Sequence, residues 1–453
     1  MKYFGTDGIR GTCGDAQIRE PFFNALGRAV AEYALTNFGG AKAPKIVAGG
    51  DTRASSDSLK AAFIAGAREG GADCEDVGVL PTPALAYCVL EKSAAFGAMI
   101  TASHNPYTDN GIKFFDAHAL KVSDAVQEAF ETLLEKYLPA AGSAYAPEKF
   151  VPRRIGAGEF ARKNYVEKMA SIFPKDFLRG VKIAIDMANG ATSGISSEVL
   201  RRYGAEVFDE SFAPDGFNIN NGAGSQHPEK IADLCRRTGA DVGFAHDGDG
   251  DRVVVVDETA SVLEGEEVLG LIAVDAKARG VLQGGAIVTT LQSNIGLDES
   301  LAAENIRVLR SGIGDRLVMK MMIENGCNIG GENSGHFIFS EISPCGDGLA
   351  AALSVLSVMV SRGGKLSRLR GGVRLYPSQS KAVKIARKIP LEETPTLSRS
   401  IAECESKLGS RGRLLVRYSG TEKKIRLLVE GADAALVAEC MAKLEKSVEN
   451  DLQ

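Results

Sequence analysis

Residues 96–106 of the chain read FGAMITASHNP, and this stretch sets the interpretation of the rest of the sequence. The apolar run 96–100 is typical of a buried strand. Pro106 fixes its own φ angle and disfavours helix at Asn105, so the chain has to bend after the strand. We therefore predict that Ser103 lies in a loop at the end of a buried strand, with its hydroxyl presented at a tight bend.

A second loop carries three carboxylates at alternate positions, where residues 247–252 read DGDGDR after another short apolar run. The intervening glycines add no side-chain bulk, so oxygens of Asp247, Asp249 and Asp251 can converge on one hard cation. An EF-hand would need glycine at the sixth loop position, where this chain has Arg252. The pattern predicts a Mg²⁺ site rather than a calcium loop between two helices.

A serine before Asn-Pro is commonly a turn residue that hydrogen-bonds to the local backbone. Two neighbours favour chemistry at Ser103: His104 and Lys113 supply the base and the cation that a nucleophilic or phosphate-carrying hydroxyl needs. Arg252 would add positive charge where a phosphoryl group passes. A hydroxyl that can carry phosphate and a carboxylate cage for Mg²⁺ together indicate metal-assisted phosphoryl transfer.

A third loop alternates Glu332, Ser334 and His336 between glycines. Acceptor and donor side chains in this order suit the hydroxyls of a sugar, although an ordinary polar loop would look the same.

A fourth loop combines hydroxyls, flexible backbone and two guanidinium groups in Arg417, Ser419, Gly420, Thr421 and Arg426. Bidentate arginine bonds and loop N–H groups could hold a phosphate, and an exposed basic turn is the alternative.

Composition restricts the classes of protein that the chain can belong to. Its 453 residues are too many for one core and suggest three or four domains. The formal charge of −5 argues against nucleic acid as a general partner. No apolar stretch is long enough to span a membrane, and the chain does not open on a signal peptide. Eight cysteines without a C-x-x-C pair predict reduced thiols in a cytoplasmic protein.

Helical and strand-like patterns alternate along most of the chain, which predicts an α/β fold with parallel βαβ units and a smaller C-terminal α+β piece. The predicted elements are helices at 21–38, 123–137, 160–172, 349–360 and 434–448, and strands at 46–50, 77–80, 96–100, 181–186, 252–256, 286–290 and 307–309. A segment rich in Pro, Gly and Ala at 139–152 is a predicted linker. The predicted domains are 1–152, 153–256, 257–370 and 371–453.

These four loops, in this order, closely resemble the α-D-phosphohexomutase family, and the resemblance covers essentially the whole chain. The opening residues 2–11, KYFGTDGIRG, and residues 314–316, GDR, add to it. The resemblance implies three similar mixed-sheet α/β domains and a smaller α+β domain around a central cleft. The sequence departs from the usual family pattern at Thr101, Asn333 and Lys423.

The resemblance also implies roles for the residues of the four loops. Ser103 would be phosphorylated and, with the three aspartates, would hold Mg²⁺. The implied roles of the other residues are transfer-site lining by Arg10, His104, Lys113 and Arg252, sugar binding by Glu332, Ser334 and His336, and binding of the non-transferred phosphate by Arg417, Ser419, Gly420, Thr421 and Arg426.

The implied activity is isomerisation of a hexose or hexosamine phosphate through a sugar bisphosphate, which acts as intermediate and activator. A sugar phosphatase and a non-catalytic sugar-phosphate sensor remain alternatives, and the implied protein is a monomer or a homodimer. No nucleic acid or membrane partner is expected.

Overall fold

The computed structural model describes residues 1–5, 7–40, 42–138, 157–419 and 423–453. Its first unit has a five-stranded sheet in the order β1-β5-β4-β2-β3, with helices on both faces. The elements of this unit are β1 (Ile9–Thr12), α1 (Glu20–Phe38), β2 (Lys45–Gly50), α2 (Ser56–Glu69), β3 (Asp73–Val79), α3 (Thr82–Glu91), β4 (Phe96–Ile100), β5 (Asp109–Phe115) and α4 (Asp124–Tyr137).

The second unit repeats this arrangement in a sheet of order β10-β9-β8-β6-β7. Its elements are α5 (Ala157–Met169), β6 (Lys182–Asp186), α6 (Ser196–Arg202), β7 (Glu206–Glu210), α7 (Pro228–Thr238), β8 (Val242–His246), β9 (Val253–Asp257) and β10 (Val262–Leu263). The second sheet therefore continues past the predicted boundary at residue 256.

The third unit has a four-stranded sheet in the order β12-β11-β13-β14. Its elements are α8 (Gly265–Ala278), β11 (Ala286–Thr290), α9 (Gly296–Ala303), β12 (Arg307–Ser311), α10 (Asp315–Asn325), β13 (Ile329–Gly331), β14 (Phe337–Phe339), α11 (Gly348–Arg362) and α12 (Leu366–Leu369). Helix α11 is the predicted buried helix, and it lies in the core along most of its length.

The fourth unit is smaller, with two helices and an antiparallel sheet in the order β15-β17-β16. Its elements are β15 (Ser378–Lys384), α13 (Pro395–Leu408), β16 (Gly412–Tyr418), β17 (Lys424–Gly431) and α14 (Ala434–Leu452). This arrangement confirms the predicted fold class, three similar α/β units followed by a smaller α+β unit.

Local sequence signals place many helix ends. Pro21 stands in the first turn of α1, where its missing N–H costs nothing, and the N–H of Gly39 closes the helix on the carbonyl of Leu35 at 3.0 Å. The hydroxyl of Ser123 caps α4 by accepting from the N–H of Val126.

Each of the three large sheets is mixed, as the family resemblance implies: parallel pairs expected from the βαβ pattern, such as β2 with β3, β6 with β7 and β11 with β12, occur beside antiparallel pairs. Strands β4 and β5, β8 and β9, and β13 and β14 pair antiparallel. The connecting segments 101–108, 247–252 and 332–336 are too short for the crossover that a parallel pair requires, which takes a dozen or more residues.

One apolar cluster joins the first three units and includes Leu85, Phe244 and Leu353. The fourth unit has a core of its own, in which Leu427 and Leu444 are buried. The fold therefore combines a three-unit body with a fourth unit that is packed separately.

The remaining sequence expectations fall into three groups. The predicted linker 139–152 lies outside the described residues, as does the predicted boundary at residue 152. Helix α5 begins and ends earlier than the predicted helix 160–172. Among the described helices, none is by itself long and apolar enough to cross a membrane; helix α11 and residues 366–372 pass only as a pair, bent by 89°.

Candidate active site

Three of the four predicted loops occupy the same position in their sheets. Each connects a central strand to its antiparallel neighbour: residues 101–108 join β4 to β5, 247–252 join β8 to β9, and 332–336 join β13 to β14. The repeated topology explains why loops distant in sequence present side chains in equivalent places.

Ser103 meets the acidic loop directly. Its side chain is buried, and Oγ donates a hydrogen bond to Oδ2 of Asp247 at 2.6 Å. The Nδ1 atom of His104 lies 3.4 Å from the same Oγ. The backbone N–H of Ser103 donates to Oγ1 of Thr101 at 2.9 Å, so the threonine that departs from the family pattern supplies the hydroxyl that this turn uses. The hydroxyl of Ser103 is thus oriented by two units at once.

The three aspartates form a compact, buried cluster. One carboxylate oxygen from each of Asp247, Asp249 and Asp251 lies within 4.8 Å of the others. Strand β9 follows the loop instead of a helix, which rules out the EF-hand alternative. Lys113, now placed on β5, contacts Oδ2 of Asp249 and Oδ2 of Asp251, each at 2.7 Å.

The three carboxylates of the cluster repel one another, and a bound cation would relieve this repulsion. Burial, together with the charges of Asp251 and Asp249, raises the pKa of Asp247 to about 8. Oδ1 of Asp249 and Oδ1 of Asp251 are buried and have no hydrogen-bond partner among the described residues. Hard oxygen donors with spare lone pairs suit a small divalent cation, so this donor set fits Mg²⁺.

Three predicted side chains surround the cluster with different charges. Burial, with help from Arg252 and Arg10, lowers the pKa of His104 to about 4, so its imidazole is neutral at pH 7. Arg252 is partly buried, and its backbone N–H donates to Oδ1 of Asp247 at 3.2 Å. Arg10 is partly exposed and forms an ion pair with Asp7 at 2.6 Å. A neutral imidazole therefore lies beside the Ser103 hydroxyl, and the charges of two arginines act on that imidazole.

His336 differs from the sequence expectation in its surroundings. It does not lie with the exposed Ser334 but is buried, with Nε2 3.1 Å from Oδ2 of Asp315 and Nδ1 3.7 Å from Oδ1 of Asp251. Burial alone would lower the pKa of His336, but the two carboxylates outweigh it and the pKa is raised. The two carboxylates therefore favour the protonated form of His336 beside the acidic cluster.

Lys121 completes a buried chain of alternating charges between the first and third units. Its Nζ lies 2.5 Å from Oδ1 of Asp7 and 2.7 Å from Oδ2 of Asp315. Asp7 also holds Arg10, and Asp315 also holds His336. One lysine thus connects the partners of two predicted site residues.

Glu332 and Ser334 lie at the more exposed edge of the third loop. Glu332 is half-buried, and its Oε1 accepts the N–H of Gly314 at 3.0 Å. Gly335 has φ +86°, and a Cβ there would lie 2.5 Å from the carbonyl oxygen of Val253, so only glycine fits where this loop meets β9. Ser334 is exposed and free to meet a ligand.

The fourth loop stands apart from the acidic cluster. Arg417 and Arg426 pair directly across β16 and β17, and both line a cavity of about 260 Å³ that Gln292 of the third unit also lines. Burial and the charge of Arg426 lower the pKa of Arg417. Two cations held face to face attract an anion.

Two residues of the fourth loop, Gly420 and Thr421, lie outside the described residues. Ser419 is buried, and its N–H donates to the carbonyl of Lys424 at 2.9 Å.

Sequence reasoning missed several residues that contact the predicted ones. Thr82, at the start of α3, donates from Oγ1 to Oδ2 of Asp249 at 2.6 Å. Asn220 and Arg53 hold the backbone of the Ser103 loop. Lys121 stands in no motif. Asp315 belongs to the GDR triplet, which contributes to the family resemblance, but the sequence alone assigns no function to it.

Comparisons with known proteins agree along the whole chain. The chain matches four family descriptions of phosphoglucomutase/phosphomannomutase: alpha/beta/alpha domain I over residues 1–140, domain II over 163–261, domain III over 264–376, and the C-terminal domain over 381–447. It is 39% identical over 459 residues to a phosphoglucosamine mutase of Symbiobacterium thermophilum, covering 100% of both chains.

Two solved structures share the fold. A phosphoglucomutase/phosphomannomutase family protein from Burkholderia thailandensis matches with a TM-score of 0.80 at 22% identity, over 98% of this chain and 96% of that chain. An N-acetylphosphoglucosamine mutase of Aspergillus fumigatus, solved with GlcNAc-6P and magnesium, matches with a TM-score of 0.64 at 16% identity, over 94% of this chain and 96% of that chain. The resemblance of the four loops is thus confirmed, and the chain belongs to the phosphoglucomutase/phosphomannomutase family, the α-D-phosphohexomutases.

Proposed function

We propose that this chain is a phosphoglucosamine mutase, which interconverts glucosamine 6-phosphate and glucosamine 1-phosphate. The observation that carries the proposal is the buried hydroxyl of Ser103, 2.6 Å from Oδ2 of Asp247 in a three-carboxylate cluster. A relative that carries the name of this enzyme is 39% identical over the full chain. The proposed reaction is therefore an isomerisation by phosphoryl transfer.

Ser103 is proposed to be the phosphate carrier. It gives a phosphoryl group to the sugar monophosphate, which becomes a bisphosphate, and later takes back the other phosphate. Asp247, Asp249 and Asp251, with the phosphate on Ser103, would hold Mg²⁺, as the unsatisfied carboxylate oxygens support. When bound, a divalent cation neutralises charge on the transferring phosphoryl group.

The residues around Ser103 would bind and orient the reacting groups. Lys113, Arg252 and Arg10 supply positive charge where the phosphoryl oxygens pass, because phosphoryl transfer depends chiefly on positioning and charge neutralisation. His104 is neutral and lies close to Oγ of Ser103, so it can accept a hydrogen bond or a proton there.

The remaining loops would bind the sugar and its second phosphate. Glu332 and Ser334 would bind sugar hydroxyls, and His336 would lie between them and the acidic cluster. The proposed cradle for the non-transferred phosphate consists of Arg417, Ser419, Gly420, Thr421 and Arg426. The first region is an acidic cluster suited to a metal ion, whereas the fourth loop is lined by two arginines suited to a phosphate. This difference supports the division, since a bisphosphate that reorients must exchange its two phosphates between two distinct sites.

The fourth unit would close over the bound sugar. It has its own core and meets the third unit through polar contacts: Oε2 of Glu430 accepts the N–H of Ile295 at 3.3 Å, and Nη2 of Arg413 donates to the carbonyl of Ser293. Closure would exclude water, which otherwise hydrolyses the phosphoserine. The sugar bisphosphate would activate the enzyme by phosphorylating Ser103. A monomer or homodimer in the cytoplasm completes the proposal.

The second candidate is a phosphoglucomutase or phosphomannomutase, which the family description of all four matched regions favours. A substrate panel separates the two. Purified protein, phosphorylated at Ser103, is assayed with Mg²⁺ on glucosamine, glucose and mannose 1-phosphates. We expect kcat/KM to be highest on glucosamine 1-phosphate. A higher value on glucose or mannose 1-phosphate supports the second candidate, and phosphate release without isomerised sugar supports a phosphatase.

A further inference from the structure

The backbone at Ser103 is held in a conformation that serine rarely adopts. Its φ angle is +53°, in the left-handed region. Such a residue stays in place only where its surroundings determine the conformation, and strain of this kind is concentrated at functional sites. The chain must therefore contain groups that hold this loop.

Two side chains from different units hold it through the same two carbonyl groups. Nη2 of Arg53 donates to the carbonyl oxygens of Ser103 and Asn105, each at 2.9 Å. Nδ2 of Asn220 donates to the same two oxygens, also at 2.9 Å each. The loop is therefore clamped by a guanidinium of the first unit and an amide of the second.

The two clamping residues differ in how they are anchored. Arg53 is buried and forms an ion pair with Asp51 of its own unit at 2.9 Å. Asn220 lies in a turn of the second unit, where its N–H donates to the carbonyl of Ala188 at 2.9 Å. Its own φ is +57°, which asparagine tolerates better than most residues. Asn220 therefore holds the Ser103 loop from the second unit, which also carries the three aspartates.

The acidic loop makes room for this contact. A Cβ at Gly248 would lie 2.8 Å from Nδ2 of Asn220 and 2.8 Å from the carbonyl oxygen of Ser103. Any side chain at Gly248 would therefore push the amide and the carbonyl apart. The glycine between Asp247 and Asp249 serves the approach of the serine loop as well as the convergence of the carboxylates.

We propose that Asn220 is a positioning residue for phosphoryl transfer, an inference that rests on the proposed function. It ties the Ser103 loop to the unit that carries Asp247, and so it fixes where Oγ stands relative to the carboxylates. Asn220 touches neither the Ser103 hydroxyl nor a carboxylate of the cluster in any contact described above. Because misplacement of a reacting group by about 1 Å can cost a factor of about 100 in rate, loss of the clamp should act on kcat.

The test uses the full chain with Asn220→Gly. Glycine adopts positive φ without strain, so this variant removes the two hydrogen bonds and leaves the backbone its preferred conformation. A second variant, Asn220→Asp, keeps the shape and replaces the donor by an acceptor that faces two carbonyl oxygens. The control is Asn221→Asp, since Asn221 is the exposed neighbour of Asn220.

We expect kcat on glucosamine 1-phosphate to fall by a factor of about 10 to 100 in both Asn220 variants, with KM changed by less than about threefold. Single turnover of the Ser103-phosphorylated protein should show the same loss in the transfer step. The Asn220→Asp change should cost at least as much as Asn220→Gly. Asn221→Asp should match the wild type.

Equal kcat in the wild type and Asn220→Gly overturns the inference, even if the melting temperature falls, because a purely structural contact would affect only stability. A fall in kcat that merely tracks the fraction of unfolded protein, measured by circular dichroism at the assay temperature, also overturns it. If the wild type and Asn221→Asp both lack mutase activity, the proposed function fails instead.

Discussion

Oγ of Ser103 and Oδ2 of Asp247 lie 2.6 Å apart, although 144 positions separate the two residues in the chain. Both loops follow a central strand and lead into its antiparallel neighbour, in two sheets that share the order of four strands and differ only in the edge strands β1 and β10. The repeated topology therefore brings a hydroxyl of one unit against a carboxylate of the next. This contact joins the phosphate carrier to the metal cluster in the proposed reaction.

Replacing Ser103 by alanine should abolish turnover and leave the fold intact. The change removes the proposed phosphate carrier, and the lost hydrogen bond to Asp247 contributes only about 1 kcal/mol to stability. We expect mutase turnover to fall by a factor of at least about 1,000. Coupled assay of glucose or glucosamine 6-phosphate formation measures it, and circular dichroism checks the fold.

The control is Ser58→Ala, a change at an exposed serine of α2 in the same unit. It should leave turnover unchanged. Near-normal activity in Ser103→Ala would rule out a phosphoserine route through this residue.

Replacing Asp249 by asparagine should weaken Mg²⁺ binding and turnover together. Asp249 supplies one of three clustered carboxylates, and asparagine keeps the shape while removing the charge. We expect the Mg²⁺ concentration for half-maximal rate to rise at least about tenfold, because a hard divalent cation depends on carboxylate charge. A magnesium titration of the initial rate measures this shift.

Asp241→Asn is the matched control. Asp241 is an exposed residue directly before β8, whereas Asp249 lies in the loop that follows β8. Its magnesium titration should overlay that of the wild type. An unshifted titration in Asp249→Asn would remove this residue from the metal site.

Much of this site follows from local sequence patterns. The apolar strand before Ser103, the alternating carboxylates of residues 247–252 and the paired arginines of the fourth loop each predict a group whose chemistry can be stated from residue type and spacing. Helix and strand positions such as α1 and β11 follow equally well from apolar periodicity and from Pro and Gly at their ends. Local signals suffice wherever one segment supplies the whole feature.

The rest depends on contacts between distant segments. Lys121 has no motif, and only folding shows that it joins Asp7 to Asp315. His336 stands five residues after Gly331 in the third loop, yet its side chain lies near Asp251, because β14 returns antiparallel to β13 directly after this short loop. The apolar pattern of the site strands does not predict their antiparallel pairing, because apolar runs do not reveal strand direction.

Removing the charge of Lys121 should reduce both stability and activity. Lys121→Met leaves Asp7 paired only with Arg10 and Asp315 only with His336, so we expect a loss smaller than the roughly 3–5 kcal/mol that follows when a buried charge loses its only partner. We expect a lower melting temperature and a lower kcat, because Lys121 fixes Asp7 and Asp315, which in turn position Arg10 and His336. Differential scanning fluorimetry and steady-state kinetics measure the two effects.

A double variant separates stability from positioning. Lys121→Met with Asp315→Asn removes a charge of each sign, so we expect much of the melting temperature to return. The kcat should stay low, because His336 has lost its charged partner Asp315. Full recovery of kcat along with stability would show that Lys121 only stabilises the junction.

Replacing Arg426 by alanine should weaken phosphate binding. Arg426 faces Arg417 directly across the sheet, and like charges in that position repel each other. We expect KM to rise at least about tenfold, since a charge-assisted arginine–phosphate contact contributes about 1.5–3 kcal/mol. Sugar bisphosphate should accumulate in solution, because the intermediate escapes before it reorients.

Chromatography of quenched reactions measures the released bisphosphate. The control is Arg399→Ala, at an exposed arginine of α13 in the same unit. A cradle role for Arg426 is excluded if bisphosphate release and KM both stay at wild-type values.

Asp347 gives the third unit a pH-dependent stability. It caps α11, its Oδ1 accepts the N–H of Ala350 at 2.9 Å, and both of its oxygens lie 3.0 Å from the hydroxyl of Tyr165. Burial raises the pKa of Asp347 to about 6, above the value of about 3.9 in an unfolded chain. A raised pKa means that the folded state favours the protonated carboxyl. This contribution to stability is complete below pH 4 and is lost as the pH rises through 6.

Asp347→Asn should therefore gain stability relative to the wild type as the pH rises. The amide resembles the protonated carboxyl, and its oxygen can still accept from Ala350 and Tyr165. We expect the difference in melting temperature, variant minus wild type, to increase by about 3 °C or more between pH 4.5 and pH 7.5. Asp257→Asn is the control: hydrogen bonds from Thr259 and Ser261 outweigh burial and lower the pKa of Asp257, so its stabilising effect is already complete near pH 4.5 and its difference should stay flat over the same range. A flat difference for Asp347→Asn would mean that this carboxyl is already ionised at no cost in the folded protein.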